Sequence, residues 1–238
     1  MNEGSPPPKK KRGVVDIVFL MDATGSMEPC IDALKVNVTT FVESMCETSQ
    51  MNPVKDWRAK VVGFRDFLED DEPLVDNPFV KEPTAIRSQL DALEAMGGGD
   101  EPESLLDAIY HVANMGQTDK SAQEPDPNKW RYRSHAARVV IIFSDASYHS
   151  RTKDGGSLAD INLACTGNRI LLFIFAPDLD CYEKLSEIDK SEYEAIEIKS
   201  DESAADALER FTKDPGAFKR AMDQLGKSVS ASADVPEL

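Results

Sequence analysis

Apolar positions along this chain follow two periodicities. "VVDIVFLM" (14–21), "ARVVIIF" (137–143) and "RILLFIFAP" (169–177) are nearly unbroken apolar runs of strand length. Such runs suit parallel strands buried on both faces. Between them, apolar residues return every three or four positions. Ile31, Leu34, Val38, Phe41, Val42 and Met45 make one face of a helix predicted over 27–48, with Glu28 and Pro29 suited to its first turn.

The rest of the chain continues the alternation. "WRAKVVGFRDF" (57–67) predicts a strand, and the proline-broken "PLVDNPFVKEP" an edge strand or loop. Helices are predicted over 84–96, with Thr84 as N-cap, and over "ESLLDAIYHVANM". Further on, "LADINLACTGN", "DCYEKLSEI", "ESAADALERF" and "PGAFKRAMDQLGKSV" read as helices and "YEAIEIKS" as a weaker strand. Strands alternating with helices predict an α/β fold: a doubly wound, mostly parallel sheet of about six strands, one an antiparallel edge strand, with helices on both faces. One domain is expected over 13–227, with a loop inserted at about 116–136 that is functional or mobile. Residues 1–12 and 228–238 are expected to be disordered flanks.

Charge narrows the partners. Lys and Arg total 27 against 43 Asp and Glu, a net charge of −16. That balance disfavours phosphate backbones and anionic membranes, so neither nucleic acid nor membrane is expected as a partner. The segment "KWRYRSHAAR" interleaves aromatic and basic residues; loop packing or a protein contact is favoured over base stacking. No run approaches the ~20 apolar residues of a membrane span, and the first residues lack an apolar signal-peptide core. The four cysteines have no CxxC spacing and read as reduced thiols. A cytoplasmic location is expected; Lys9–Arg12 would add a nuclear one in a eukaryote.

In a doubly wound sheet, ligands sit beyond the carboxyl ends of the strands. Three loops expected there carry oxygen side chains: Asp22, Thr24 and Ser26 after the first strand, Asp100 after Gly97-Gly98-Gly99, and Asp145 after "RVVIIF". Oxygen donors from separate loops suit a hard cation, Mg²⁺ first and Ca²⁺ or Mn²⁺ as alternatives, and not zinc. Other readings stay open. Ser26 is a fair helix N-cap. Asp100 would also serve to open a helix whose Glu101 and Glu103 favour its positive end. Asp66 and His149 are candidates for a supporting role around the cation; Asp66 would equally pair with Arg65, and His149 would equally be an exposed loop residue.

"DATGSM" resembles the DxSxS motif of the von Willebrand factor A family, with Thr24 in place of the first serine. In that family DxSxS, a second-loop threonine and a third-loop aspartate form a metal-ion-dependent adhesion site. Asp145 matches the third loop, and "GGGDEPES" the second, with Asp100 where many members have threonine. "GFRDF", "GGGDEPE" and "SDASYH" resemble an intracellular branch found with alpha-kinases and in bacteria, whose third loop often reads TDAPxH. The resemblance spans about 14–200. It implies a Rossmann-like fold and a non-enzymatic, metal-dependent protein-interaction module, a scaffold or regulatory subunit of an intracellular complex. The alternative is a Mg²⁺-dependent nuclease or phosphatase using the same carboxylates, though the phosphatase pattern needs an aspartate where Thr24 stands. Asp22, Asp100 and Asp145 together imply a site that holds its cation mainly by itself and favours a basic or hydroxyl-bearing partner group over an acidic one.

Overall fold

The computed structural model describes residues 13–47, 54–97 and 101–232. The expected flank at 1–12 and the last six residues, 233–238, lie outside the described residues, as does Asp100.

The apolar runs form the strands they predict: β1 (Val14–Asp22), β2 (Asp56–Phe64), β3 (Leu74–Asp76), β4 (Ala137–Phe143), β5 (Ile170–Pro177) and β6 (Ser191–Ile196). The 3.6-periodic stretches form α1 (Glu28–Glu47), α2 (Pro83–Asp91), α3 (Leu105–Ala113), α4 (Leu158–Asn168), α5 (Asp180–Leu185), α6 (Ala204–Lys213) and α7 (Pro215–Ser232). One sheet contains all six strands in the order β3-β2-β1-β4-β5-β6, and only β3 runs antiparallel to its neighbour. The chain builds outward from β1 through β2 to β3, then crosses back to place β4 on the other side of β1. The strand order therefore reverses between β1 and β4, which is where doubly wound sheets form their crevice.

Side-chain alternation along β1 divides the core. Val15, Ile17, Phe19 and Met21 pack with α1, α2, α6 and α7; Val18 and Leu20 pack with α3, α4 and α5. Both faces are covered, so β1 is buried along its whole length. Helices α1 and α7 pack closely against each other. A Cβ on Gly226 of α7 would lie 2.9 Å from the Met45 backbone nitrogen and 3.1 Å from Ser44 Cβ on α1. Beside it, the Ser44 hydroxyl donates to Asp223 Oδ1 at 2.9 Å. Gly226→Val is expected to destabilise the protein by ~1–3 kcal/mol, because a backbone atom cannot give way to the new methyls. Urea denaturation of the variant checks this through the unfolding midpoint.

Several boundaries differ from the sequence reading. Helix α2 starts at Pro83 with Glu82 as its N-cap residue, two positions before the expected N-cap Thr84; proline's fixed φ suits the first helical position. It stops at Asp91 because the following chain is drawn to the first loop. Met96 N–H donates to Ala23 C=O at 3.0 Å, and the Arg65 guanidinium donates to Glu94 C=O at 2.7 Å. Helix α7 continues to Ser232, so residues 228–232 of the expected tail are helical.

The long 116–136 segment packs onto the sheet. Trp130 is fully buried, and its indole N–H donates to Val112 C=O at 2.9 Å. Asp16, on β1 at the edge opposite the strand ends, is 0% exposed. It accepts two bonds from Arg58, at 2.9 and 2.8 Å, and two from Arg131, from its amide at 2.7 Å and its guanidinium at 2.9 Å. Arg58 also donates to Asp126 C=O and Lys129 C=O, and Arg138 to Arg131 C=O. The basic residues of "KWRYRSHAAR" that reach the interior are thus spent on loop packing.

Candidate functional site

Parallel register brings the ends of β1, β2 and β4 together. Asp22 is level with Phe64, and Met21 with Phe143. The residues just beyond these ends form the site.

The first loop folds around its own aspartate. Thr24 donates to Asp22 Oδ1 from both its amide (3.0 Å) and its hydroxyl (2.7 Å). Met27 N–H then closes onto Thr24 C=O, making the 3₁₀ turn Gly25–Met27 ahead of α1. Ser26 lies inside that turn, so it is not the N-cap of α1. Its hydroxyl is exposed and 3.4 Å from Thr24 Oγ1. The third loop supplies Ser144, whose hydroxyl donates to Asp22 Oδ2 at 2.9 Å, and Asp145 next to it. Tyr182 of α5 holds this loop from below by donating to Ala146 C=O at 2.5 Å.

Asp22 is 0% and Asp145 3% exposed. Both Asp145 oxygens are buried without a hydrogen-bond partner. Among the described residues, no Lys, Arg or His forms an ion pair with either carboxylate. Burial and the neighbouring Asp145 push the Asp22 carboxyl up to about 7, against the hydrogen bonds from Thr24 and Ser144. Burial raises Asp145 as well; the nearby Ser26 hydroxyl opposes this without reaching good hydrogen-bond geometry.

A second group of acids adjoins this pair. Asp66 is also buried, but its oxygens are used. Oδ1 accepts from the Leu68 amide and the Ser104 hydroxyl, each at 2.8 Å, and Oδ2 lies 3.5 Å from His149 Nε2. Burial pushes its carboxyl up, but these bonds outweigh it and hold the pKa below the ordinary value. Asp66 and His149 are therefore neighbours, as a supporting pair would be. Arg65 does not pair with Asp66. It donates to the carbonyls of Ala23, Glu72 and Glu94, clasping the first loop to the two segments beside it.

The structure thus brings Asp22, Thr24, Ser26 and Asp145 together, with Asp66 and His149 on one flank. Asp100, expected as a ligand, lies outside the described residues. Two residues were missed from sequence. Ser144 precedes Asp145 and faces Asp22. Glu103 was read as an acid favouring the start of a helix, but α3 begins at Leu105 with Ser104 as its N-cap residue. Glu103 instead bridges the second and third loops. Its N–H donates to Ser147 C=O at 2.8 Å, and His149 N–H donates to Glu103 C=O at 2.9 Å. Its side chain is buried, and Oε2 has no partner.

The donor set suits a hard divalent cation: buried carboxylates from two loops, hydroxyls from Thr24, Ser26 and Ser144, and two carboxylate oxygens without a hydrogen-bond partner. Among the described residues, no three His, Cys, Asp or Glu side chains converge as a ready-made cage. A cation here would accordingly rely on hydroxyls and water as well as carboxylates. Two exposed apolar side chains stand on the rim, Leu68 (58% exposed) after β2 and Met96 (48%) after α2.

Residues 16–122 match the von Willebrand factor A domain family model. An alpha-protein kinase, vwkA of Dictyostelium discoideum, is 25% identical over 135 residues, which cover 57% of this chain and 19% of the kinase. The chain thus spans about a fifth of that relative's length. In fold, the chain resembles the pilus adhesin SpaC of Lactobacillus rhamnosus GG in its open conformation, with a TM-score of 0.50 at 14% identity, covering 93% of this chain and 31% of the adhesin. Among the described residues, no helix is long and apolar enough to cross a membrane. The family match and the doubly wound sheet agree: the chain carries a von Willebrand factor A domain.

Proposed function

We propose that this domain is a divalent-cation-dependent protein-interaction module, a scaffold or regulatory component of an intracellular assembly. Domains of this family are generally interaction modules. The observation that carries the cation dependence is Asp145, a buried carboxylate with both oxygens unpartnered, beside a second buried carboxylate. A bare carboxylate in such a place costs folding energy that a cation would offset.

The chain's own residues divide the work. Asp22, Thr24 and Ser26 of the first loop and Asp145 of the third would hold Mg²⁺, or alternatively Ca²⁺ or Mn²⁺, with Asp100 offered from the second loop. Ser144 fixes the orientation of Asp22. Asp66 and His149 brace the second loop through Ser104 and Glu103. When bound, the ion supplies a local positive charge and a coordination position open to a partner's oxygen. Leu68 and Met96 on the rim provide apolar contact for the same partner. With acidic residues on the surrounding loops, a partner group that is basic or hydroxyl-bearing fits better than a carboxylate.

We read the protein as non-enzymatic. Cys30, a thiol close enough to feel the charges of Asp22 and Asp145, is buried, and burial raises its pKa far above the ordinary value. It is no nucleophile at neutral pH. Calorimetric titration of the full chain with MgCl₂, with affinity capture in the presence and absence of chelator, tests the reading. Asp22→Ala is expected to abolish measurable cation binding and to lose the same partner that chelator removes. A partner retained under both conditions would overturn metal-dependent recognition. Metal-dependent phosphodiester or phosphomonoester hydrolysis abolished by the same substitution would overturn the non-enzymatic reading.

A further inference from the structure

We propose that Arg65 is a positioning residue that couples cation occupancy of the first loop to the backbone carrying Met96 on the rim. The inference rests on the strand-end site proposed above and gives that site a defined route to its own rim.

The route is a single peptide unit. Ala23 stands between Asp22 and Thr24, and the bond joining Ala23 to Thr24 is planar, so its carbonyl and N–H turn together. At one end, the Thr24 N–H donates to Asp22 Oδ1 at 3.0 Å. At the other, the Ala23 C=O accepts from the Met96 N–H at 3.0 Å and from Arg65 Nε at 3.3 Å. A cation that takes an Asp22 oxygen or turns its carboxylate therefore acts on the Met96 bond through one rigid plane. Ala23 has little room to absorb the movement: it is fully buried, and its own N–H donates to Phe64 C=O at 2.8 Å. Hydrogen bonds at the two ends of one peptide unit also polarise each other, so they strengthen or weaken together.

Arg65 makes the far end of this route one body. Its Nη2 donates to Glu94 C=O at 2.7 Å, two residues before Met96, and its Nη1 to Glu72 C=O at 3.0 Å. Its own N–H donates to Pro73 C=O at 2.9 Å. Leu68, the other apolar rim residue, is anchored beside it, its N–H donating to Asp66 Oδ1 at 2.8 Å. The same turn seats the chain after Met96. Gly97 has φ +75°, and a Cβ there would lie 2.7 Å from Asp70 Oδ1.

Packing alone does not account for an arginine here. The side chain is 7% exposed, and among the described residues it forms no ion pair; its acceptors are carbonyls of three separate segments. A planar fork reaches several fixed acceptors at once, which the point charge of a lysine does not.

The test is hydrogen exchange of single amides, read by NMR on the full chain in saturating Mg²⁺ and in chelator, with Mg²⁺ affinity from calorimetry. In wild type, Mg²⁺ is expected to slow exchange at Thr24 and Met96 together, by about fivefold or more. Arg65→Lys keeps the charge and loses the fork. Its Mg²⁺-dependent slowing at Met96 should shrink to about twofold or less, while that at Thr24 persists. By linkage, its Mg²⁺ affinity should fall by the factor that the coupling loses. Wild type that binds Mg²⁺ with no change at Met96 would overturn this inference alone, whether or not the variant folds. So would an Arg65→Lys protein whose Met96 amide exchanges faster by the same factor with and without Mg²⁺, the mark of a merely structural arginine. No cation binding by wild type would overturn the strand-end site and this inference with it.

Discussion

Asp145→Asn is expected to raise the unfolding temperature of the cation-free protein while erasing its response to Mg²⁺. The reason is the unpaired charge: both Asp145 oxygens are buried without partners, and the neighbouring acids Glu101 and Asp22 are of the same sign. An unsatisfied buried charged group costs ~1–3 kcal/mol or more, and 1 kcal/mol moves a domain of this size by ~2–4 °C. A rise of several degrees in chelator should therefore accompany loss of the cation-induced shift.

The pH dependence follows with a definite sign. The Asp22 carboxyl moves from 3.8 to about 7 on folding, and Glu103 from 4.5 to about 8, pushed up by burial and by neighbouring acids. Between those values the unfolded chain has released protons that the folded chain retains. Stability of the cation-free protein should then fall as pH rises from ~4 to ~8, by an amount on the order of 4 kcal/mol for a fully buried group moved as far as Asp22. Acids held below their ordinary pKa, such as Asp66, act in the opposite direction, but their window lies below the ordinary value of 3.8. On the proposed function, saturating Mg²⁺ would bind the ionised carboxylates, so the gap between the two unfolding temperatures should widen from pH 5 to pH 8. Differential scanning calorimetry at intervals across this range checks it. A cation-free unfolding temperature that rises across the same range would refute the account.

The second large effect belongs to the opposite edge of the sheet. Asp16→Ala is expected to destabilise the protein by about 3–5 kcal/mol in the presence or absence of cation. The substitution leaves the Arg58 and Arg131 guanidinium groups without their shared carboxylate, and both side chains are almost completely buried. Arg58 also holds the 116–136 segment through the Asp126 and Lys129 carbonyls, and Arg131 ties that segment to Asp16 itself, so limited proteolysis should cut it first in the variant. Asp16→Asn keeps the shape and some hydrogen bonds and should lose less. Equal resistance of wild type and Asp16→Ala to urea would show that the network contributes nothing net.

The two edges also explain which features the sequence made legible. Strands β1, β4 and β5 were readable because unbroken apolar runs leave no alternative to a sheet buried on both faces, and helix α4 matched residue for residue. The first and third site loops were readable because each follows directly on such a strand: Asp22 ends β1, and Asp145 lies two residues past Phe143. Glu103 was not, because an acid just before an apolar helix has a sufficient local explanation. Its real environment depends on bonds to Ser147 and His149, more than forty positions away. The packing of the 116–136 segment was illegible for the same reason. Its many charged and polar residues imply solvent, and nothing local reveals that Asp16, more than a hundred positions earlier, waits to receive Arg131.

The crossing of α1 and α7 fixes how the domain can be tethered. Helix α1 leaves the site at Glu28 and its 20 residues carry it ~30 Å toward the far edge of the sheet. Helix α7 runs alongside in the same sense: the Phe218 ring lies 6.3 Å from that of Phe143, at the end of β4, and Gly226 meets Met45, late in α1. Strand β1 begins at that far edge too. Both described ends of the chain therefore lie on the side away from Asp22 and Asp145, so among the described residues the carboxylate cluster and the points of attachment occupy opposite edges of the sheet.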